Sequence, residues 1–154
     1  MATVYSVQKT KWDQTKPSKA IKPNESGGRV RIAYALYEAS SLSSGDVIEM
    51  FDLPNGARIL EGTLTHDAMA SSTTLSVGHG AYTDSSGTAV GLDADEFFAA
   101  AASTSITTVA VAVTSALGRN TVIDCDQDGY PVTVTMGGAA GTGTVELQMY
   151  YVVD

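Results

Sequence analysis

Hydrophobic and polar positions alternate along most of the chain. Residues 29–38 place Val30, Ile32, Tyr34 and Leu36 on one face of a strand, with Arg31, Ala33 and Ala35 between them. A period of two of this kind predicts a strand half-buried on its apolar face. Residues 46–53 make a second strand after a Ser/Gly turn. Pro54-Asn55-Gly56 then supplies a tight turn, because Asn-Gly accepts the positive φ that such turns demand. Residues 57–66 and 73–78 give the third and fourth strands, and residues 81–91, rich in Ser, Thr, Gly and Asp, read as a loop. Asp93 to Ala102 has acidic groups first and four alanines last, the pattern of a helix whose first turn complements its dipole. Beyond it, residues 105–117, 120–125, 131–136 and 144–153 are β-branched or alternating and complete the set. About eight short strands broken by turn signals predict an all-β fold, an antiparallel β-sandwich or jelly roll with one short helix.

The first 28 residues have a different texture. From Gln8 to Gly28 the chain is polar and punctuated by Pro17, Pro23, Asn24 and Gly27-Gly28, with almost no periodicity. This predicts an extended arm, residues 1–28, ahead of a β domain, residues 29–154. Trp12 is the arm's large anchor, and a lone Trp in such a segment docks on its own body or on a neighbour.

Charge sharpens that division. Residues 1–31 hold seven basic groups (Lys9, Lys11, Lys16, Lys19, Lys22, Arg29 and Arg31) against Asp13 and Glu25, a net +5. The remainder holds Arg58 and Arg119 against fifteen acidic residues, a net −13. A basic arm on an acidic body is suited to contacting a partner, and the seven basic groups with Trp12 are its candidate binding residues. An acidic body repels phosphates, and the arm lacks an RNA-reading aromatic pattern, so nucleic acid is not an expected partner.

Composition excludes other classes. The longest apolar runs, such as Phe97 to Ala102, fall far short of the roughly 20 residues of a membrane-spanning helix. Met1-Ala2-Thr3-Val4-Tyr5-Ser6 has no basic region leading into an apolar one, and Cys125 is the single cysteine, so a cytoplasmic site of folding is expected. Catalytic signals are thin, and no cofactor is implied. His66 and His79 sit near strand ends without HExxH spacing or a third ligand, and read as surface residues. Cys125, flanked by Asp124 and Asp126, is a poor nucleophile. Asp124-Cys125-Asp126-Gln127-Asp128-Gly129 has the D-x-D-x-D-G opening of a calcium loop, which makes Asp124, Asp126 and Asp128 a weak metal candidate. Its twelfth position is Thr135 where the bidentate glutamate belongs, and a hairpin turn on Asp-Gly is the simpler account.

Several segments carry a likeness to a known family. These are Lys11-Trp12-Asp13, Ile21-Lys22-Pro23-Asn24-Glu25, Arg29-Val30-Arg31-Ile32-Ala33, Gly45-Asp46-Val47-Ile48-Glu49-Met50-Phe51 and Leu53-Pro54-Asn55-Gly56-Ala57-Arg58-Ile59. Ser72 to Gly78 and Thr133 to Gly138 continue the pattern. Together they resemble the capsid decoration (cement) and head structural proteins of tailed bacteriophages, of the marine or cyanobacterial phage type. The resemblance implies a compact β domain, often a homotrimer, on the outer surface of an icosahedral capsid. Its termini or loops would clamp neighbouring major capsid protein subunits, and it would join the virion in the host cytoplasm. A module of the tail, neck or fibre that connects subunits or binds a host glycan is the alternative.

Overall fold

The computed structural model describes residues 4–12 and 14–153, so Asp13, one of the arm's two acidic groups, lies outside the described residues. Ten strands follow the arm: β1 (Val30–Leu42), β2 (Val47–Leu53), β3 (Arg58–His66), β4 (Thr73–His79), β5 (Tyr82–Thr83), β6 (Ala89–Val90), β7 (Asp93–Ala102), β8 (Thr107–Val111), β9 (Tyr130–Gly138) and β10 (Gly141–Val152). Eight of them form two four-stranded antiparallel sheets, ordered β1-β10-β3-β8 and β2-β9-β4-β7. The remaining two, β5 and β6, make a small hairpin within the 81–91 loop.

The pairing is nested. β1 pairs with β10, β2 with β9, β3 with β8 and β4 with β7. The chain is thus one long antiparallel ribbon, folded so that β10 also meets β3 and β9 also meets β4. Such a rolled ribbon is a jelly roll, as the strand pattern predicted. The core lies between the sheets, where alternate residues of the central strands meet: Ile59 and Leu64 on β3, Leu75 and Val77 on β4, Val132, Val134 and Met136 on β9, and Val145, Leu147 and Met149 on β10.

The helix expected at Asp93–Ala102 is instead strand β7. Sheet pairing overrides the helical propensity of its alanines, because β4 would otherwise lose its outer partner. Phe97 is fully buried, and the site is prepared for close approach: a Cβ on Gly78 would lie 2.0 Å from the Asp93 carbonyl oxygen. The register slips between Val77↔Phe98 and His79↔Asp93, so extra β7 residues bulge out at its acidic end.

Other boundaries shift as well. Residues 120–125 form only one bridge, Arg58↔Val122, although Ile123 N–H donates to Ala57 O (2.7 Å) and Gly56 N–H to Ile123 O (2.9 Å). In 105–117 the strand stops at Val111, and Ser115–Leu117 is a 3-10 turn. The arm is not wholly extended: Val7–Trp12 is a short helix, α1, and Pro17–Lys19 a 3-10 turn. Proline at the start of that turn presets φ.

Candidate partner-binding surface

The arm is held to the body near its C-terminal end. Lys11 at the end of α1 forms an ion pair with Glu25, whose side chain is only 7% exposed. The second Glu25 oxygen accepts from the Lys22 amide at 3.2 Å. The Lys11 ammonium first, and the Lys22 amide second, hold the Glu25 carboxyl below the usual carboxylate range. Beside it, Asn24 Nδ2 donates to Gly56 O (3.2 Å), tying the arm to the turn between β2 and β3. An open cleft of about 580 Å³ lies between the two, lined by Gln8, Asn24, Glu25, Arg58, Asn120 and Val152 among others.

The predicted binding residues therefore divide. Lys11 is half-buried and paired with Glu25 inside the arm, whereas Lys9, Lys16, Lys19, Lys22, Arg29 and Arg31 are exposed, and so is Trp12 at 63%. Trp12 does not dock on its own body. The arm presents its cations and its one indole outward from a tethered base.

A second surface was misread in the sequence. Val30, Ile32, Tyr34 and Leu36 do share one face of β1, but that face points to solvent and the four are 49–61% exposed. The inward positions are Ala33, Ala35 and Ala39, with Ala39 buried in the core. Alternation identifies a strand but not its inner side, since a shift of one residue exchanges the two faces. On this side of the sandwich β1 is also the edge of its sheet.

The remaining chemistry is placed as follows. Asp126 Oδ1 accepts from the Asp128 amide (2.9 Å), which makes the Asp126–Gly129 stretch a turn into β9. Asp124 lines a different recess, together with Lys22 and Asn55, so the three carboxylates of the calcium-like motif are not brought together. Among the described residues no three His, Cys, Asp or Glu groups are arranged to hold a metal.

Both histidines are buried, contrary to the surface reading. His66 Nδ1 lies 2.8 Å from Asp67 O, and His79 Nδ1 lies 2.8 Å from Gly80 O. The His79 ring packs on Tyr82 and Tyr130, an aromatic cluster that gives it a structural environment. Cys125 is buried, and desolvation, followed by Asp126, Asp124 and Asp52, pushes its thiol upward. Among the described residues no helix is long and apolar enough to cross a membrane.

A chain of the Ralstonia phage GP4 capsid superposes with a TM-score of 0.62 and 25% identity, over 82% of this chain and 86% of that one. This is a phage-capsid fold. A chain in the capsid asymmetric unit of cyanophage Pam1 matches at TM-score 0.59 and 20% identity, again over 82% and 86%. The acid-stable capsid of Helicobacter pylori bacteriophage KHP30 supplies another, at 0.50 and 16%, over 80% and 87%. The latter two carry the fold alone. No model of a known protein family matches the chain, and no curated protein sequence is significantly similar to it.

The arm's cationic character was legible from charge counting. The outward β1 face was not, although Ala33, Ala35 and Ala39 on its opposite face were the available signal.

Proposed function

We propose that the chain is a non-enzymatic structural protein of a phage virion, seated on the outer surface of the capsid and cementing it through contacts with major capsid protein subunits. The observation that carries this reading is the jelly roll held in common with a chain of the Ralstonia phage GP4 capsid, at 25% identity across most of both chains. The arm supports it. A tethered segment with exposed Lys16, Lys19, Lys22, Arg29, Arg31 and Trp12 can reach an acidic seam between subunits. Such an arm adds contact area without enlarging the domain. No bond is made or broken; the stabilisation comes from linking subunits that otherwise meet weakly.

Deletion of residues 1–28 tests the arm. No described arm residue belongs to the hydrophobic core, so the β domain stays folded by circular dichroism while co-sedimentation with purified empty shells is lost. Charge reversal at Lys16, Lys19 and Arg29 together, all exposed, gives the same loss without shortening the chain. Undiminished shell occupancy in both variants refutes the arm's role.

A further inference from the structure

The cleft between the arm and the body holds hydrogen-bonding groups that the fold itself does not use. The arm contributes Gln8 and residues 23–28 to its lining, and the body contributes Arg58, Leu60, Asn120 and Val152. Its two charged side chains are Glu25 and Arg58. Glu25 is engaged: one oxygen takes the Lys11 ammonium at 2.5 Å and the other the Lys22 amide at 3.2 Å. Arg58 is not. It opens β3, opposite Val152 on β10, and forms no ion pair among the described residues. Its guanidinium makes one long hydrogen bond, from Nη1 to Asn120 O at 3.5 Å. Nε is buried with no partner, so the Nε–Nη2 edge, a fork that matches a carboxylate, is unused. A second atom is orphaned in the same lining. Asn24 donates through Nδ2 to Gly56 O, while its Oδ1 is buried with no partner. Buried polar atoms are nearly always hydrogen-bonded, so two orphans of opposite sense in one cleft call for an explanation. We propose that the cleft is a binding site for an acidic peptide segment of a partner protein. The carboxylate of an aspartate or glutamate takes the Arg58 fork, and a backbone N–H of the same segment donates to Asn24 Oδ1.

The two orphans select the ligand between them. Arg58 Nε–H needs an acceptor and Asn24 Oδ1 needs a donor. A free carboxylate or a phosphate satisfies only the first and sets its oxygens against Asn24 Oδ1. A primary amide satisfies both but leaves the guanidinium charge unpaired. An acidic residue within a peptide supplies a charged acceptor and an N–H donor together. The Glu25 carboxylate in the same lining would oppose an incoming anion, but the Lys11 ammonium neutralises it. A volume of about 580 Å³ is that of a ligand pocket and takes a few residues of extended chain. Both orphan atoms are shielded from solvent in the free protein. A ligand therefore reaches them as the arm's base eases from the body, where the Asn24–Gly56 hydrogen bond holds it. That the peptide belongs to a capsid subunit rests on the function proposed above; the chemistry of the site does not.

The test is a titration of the full chain followed by proton–nitrogen correlation NMR, reading the Arg58 Nε–H and the Asn24 side-chain amide. The probes are acetyl-Gly-Asp-Gly-amide, the same peptide with Asn in place of Asp, and acetate. Each is taken to about 20 mM, above the millimolar constant expected of one forked ion pair. The Asp peptide shifts both resonances and saturates. The Asn peptide, which lacks the charge, and acetate, which lacks the donor, bind about 10-fold more weakly or worse. Arg58→Lys keeps the charge and loses the fork, and it weakens the Asp peptide by about 10-fold as well. The wild-type titration decides the matter even where that variant fails to fold. Resonances that stay in place with all three probes overturn the site, since solvent alone then fills the cleft. An equal response to acetate overturns the peptide assignment, and an equal response to the Asn peptide overturns the carboxylate. Undiminished binding by folded Arg58→Lys overturns the fork. Shell co-sedimentation reads the cement proposal separately. Peptide binding without shell binding refutes cementing and leaves this site standing, and shell binding without peptide binding does the reverse.

Discussion

Replacing Gly78 with alanine asks whether β7 is pressed against β4 as closely as the structure has it. The added Cβ would lie 2.0 Å from Asp93 O, 2.5 Å from Ala94 C and 2.8 Å from Asp95 N. All three are backbone atoms, so no side chain can swing aside. Restoring ordinary contact at 3.4 Å requires the acidic end of β7 to withdraw by about 1.4 Å. Phe97 follows in the same strand, fully buried, with its ring packed against the Gly118 backbone and 6.2 Å from Tyr130. Losing that side chain's packing altogether would cost about 3–5 kcal/mol, and a partial withdrawal about 2–4 kcal/mol. For a chain of this length that corresponds to a fall in Tm of very roughly 4–16 °C. Urea denaturation followed by circular dichroism gives the free energy, with an unchanged m-value showing that the two-state reference still holds. A loss below about 1 kcal/mol would refute the close β4–β7 packing and reopen the helical reading of 93–102.

Two further outcomes follow from titrating groups. Glu25, held low by Lys11 and the Lys22 amide, fastens α1 to the base of the arm above the usual carboxylate range, and that fastening is lost as pH falls through the lowered value. Limited proteolysis should therefore cut between α1 and Glu25 at acid pH and spare that stretch at neutral pH, whereas Glu25→Gln should expose it at both; a wild-type arm cut equally at both would contradict the pairing. Cys125, buried with its thiol pushed up, should resist a thiol reagent at pH 8 in the native protein and react within minutes in urea. Rapid native labelling would mean that the segment beside Leu53 opens readily.

The jelly roll was legible because its strands carry strong alternation and turn chemistry: Asn55-Gly56 before β3, and Asp128-Gly129 before β9, where Gly129 takes φ 94°. Three things resisted reading, each for a physical reason. At 93–102 local preference and global pairing disagree; four alanines and an acidic first turn favour a helix, and β4's need of a partner prevails. At β1 the period was right and the sense was reversed, since the larger residues face outward and alanines face the core. At His66 and His79 burial depended on how the sheets pack together, as when β9 brings Tyr130 against the His79 ring. In the arm, net charge identified the cations but could not say that Lys11 is used internally. That assignment needed Glu25 to be brought back across fourteen residues.

The nested strand order also dictates when the protein can become itself. β10 lies between β1 and β3, so one sheet is missing an interior strand until residues 141–152 have been synthesised. Apart from the two-residue β5–β6 hairpin, β4 with β7 is the innermost pair of the two sheets and the first of these able to form, and closure then proceeds outward to Val30 with Val152. Joining ends so distant in sequence makes folding slow, because loop-closure entropy is lost before the last contacts are gained. Throughout that interval both edges of β1 stand open on the ribosome or just after release. The nascent chain is therefore most vulnerable to mispairing at the strand that, once folded, carries its most apolar exposed face.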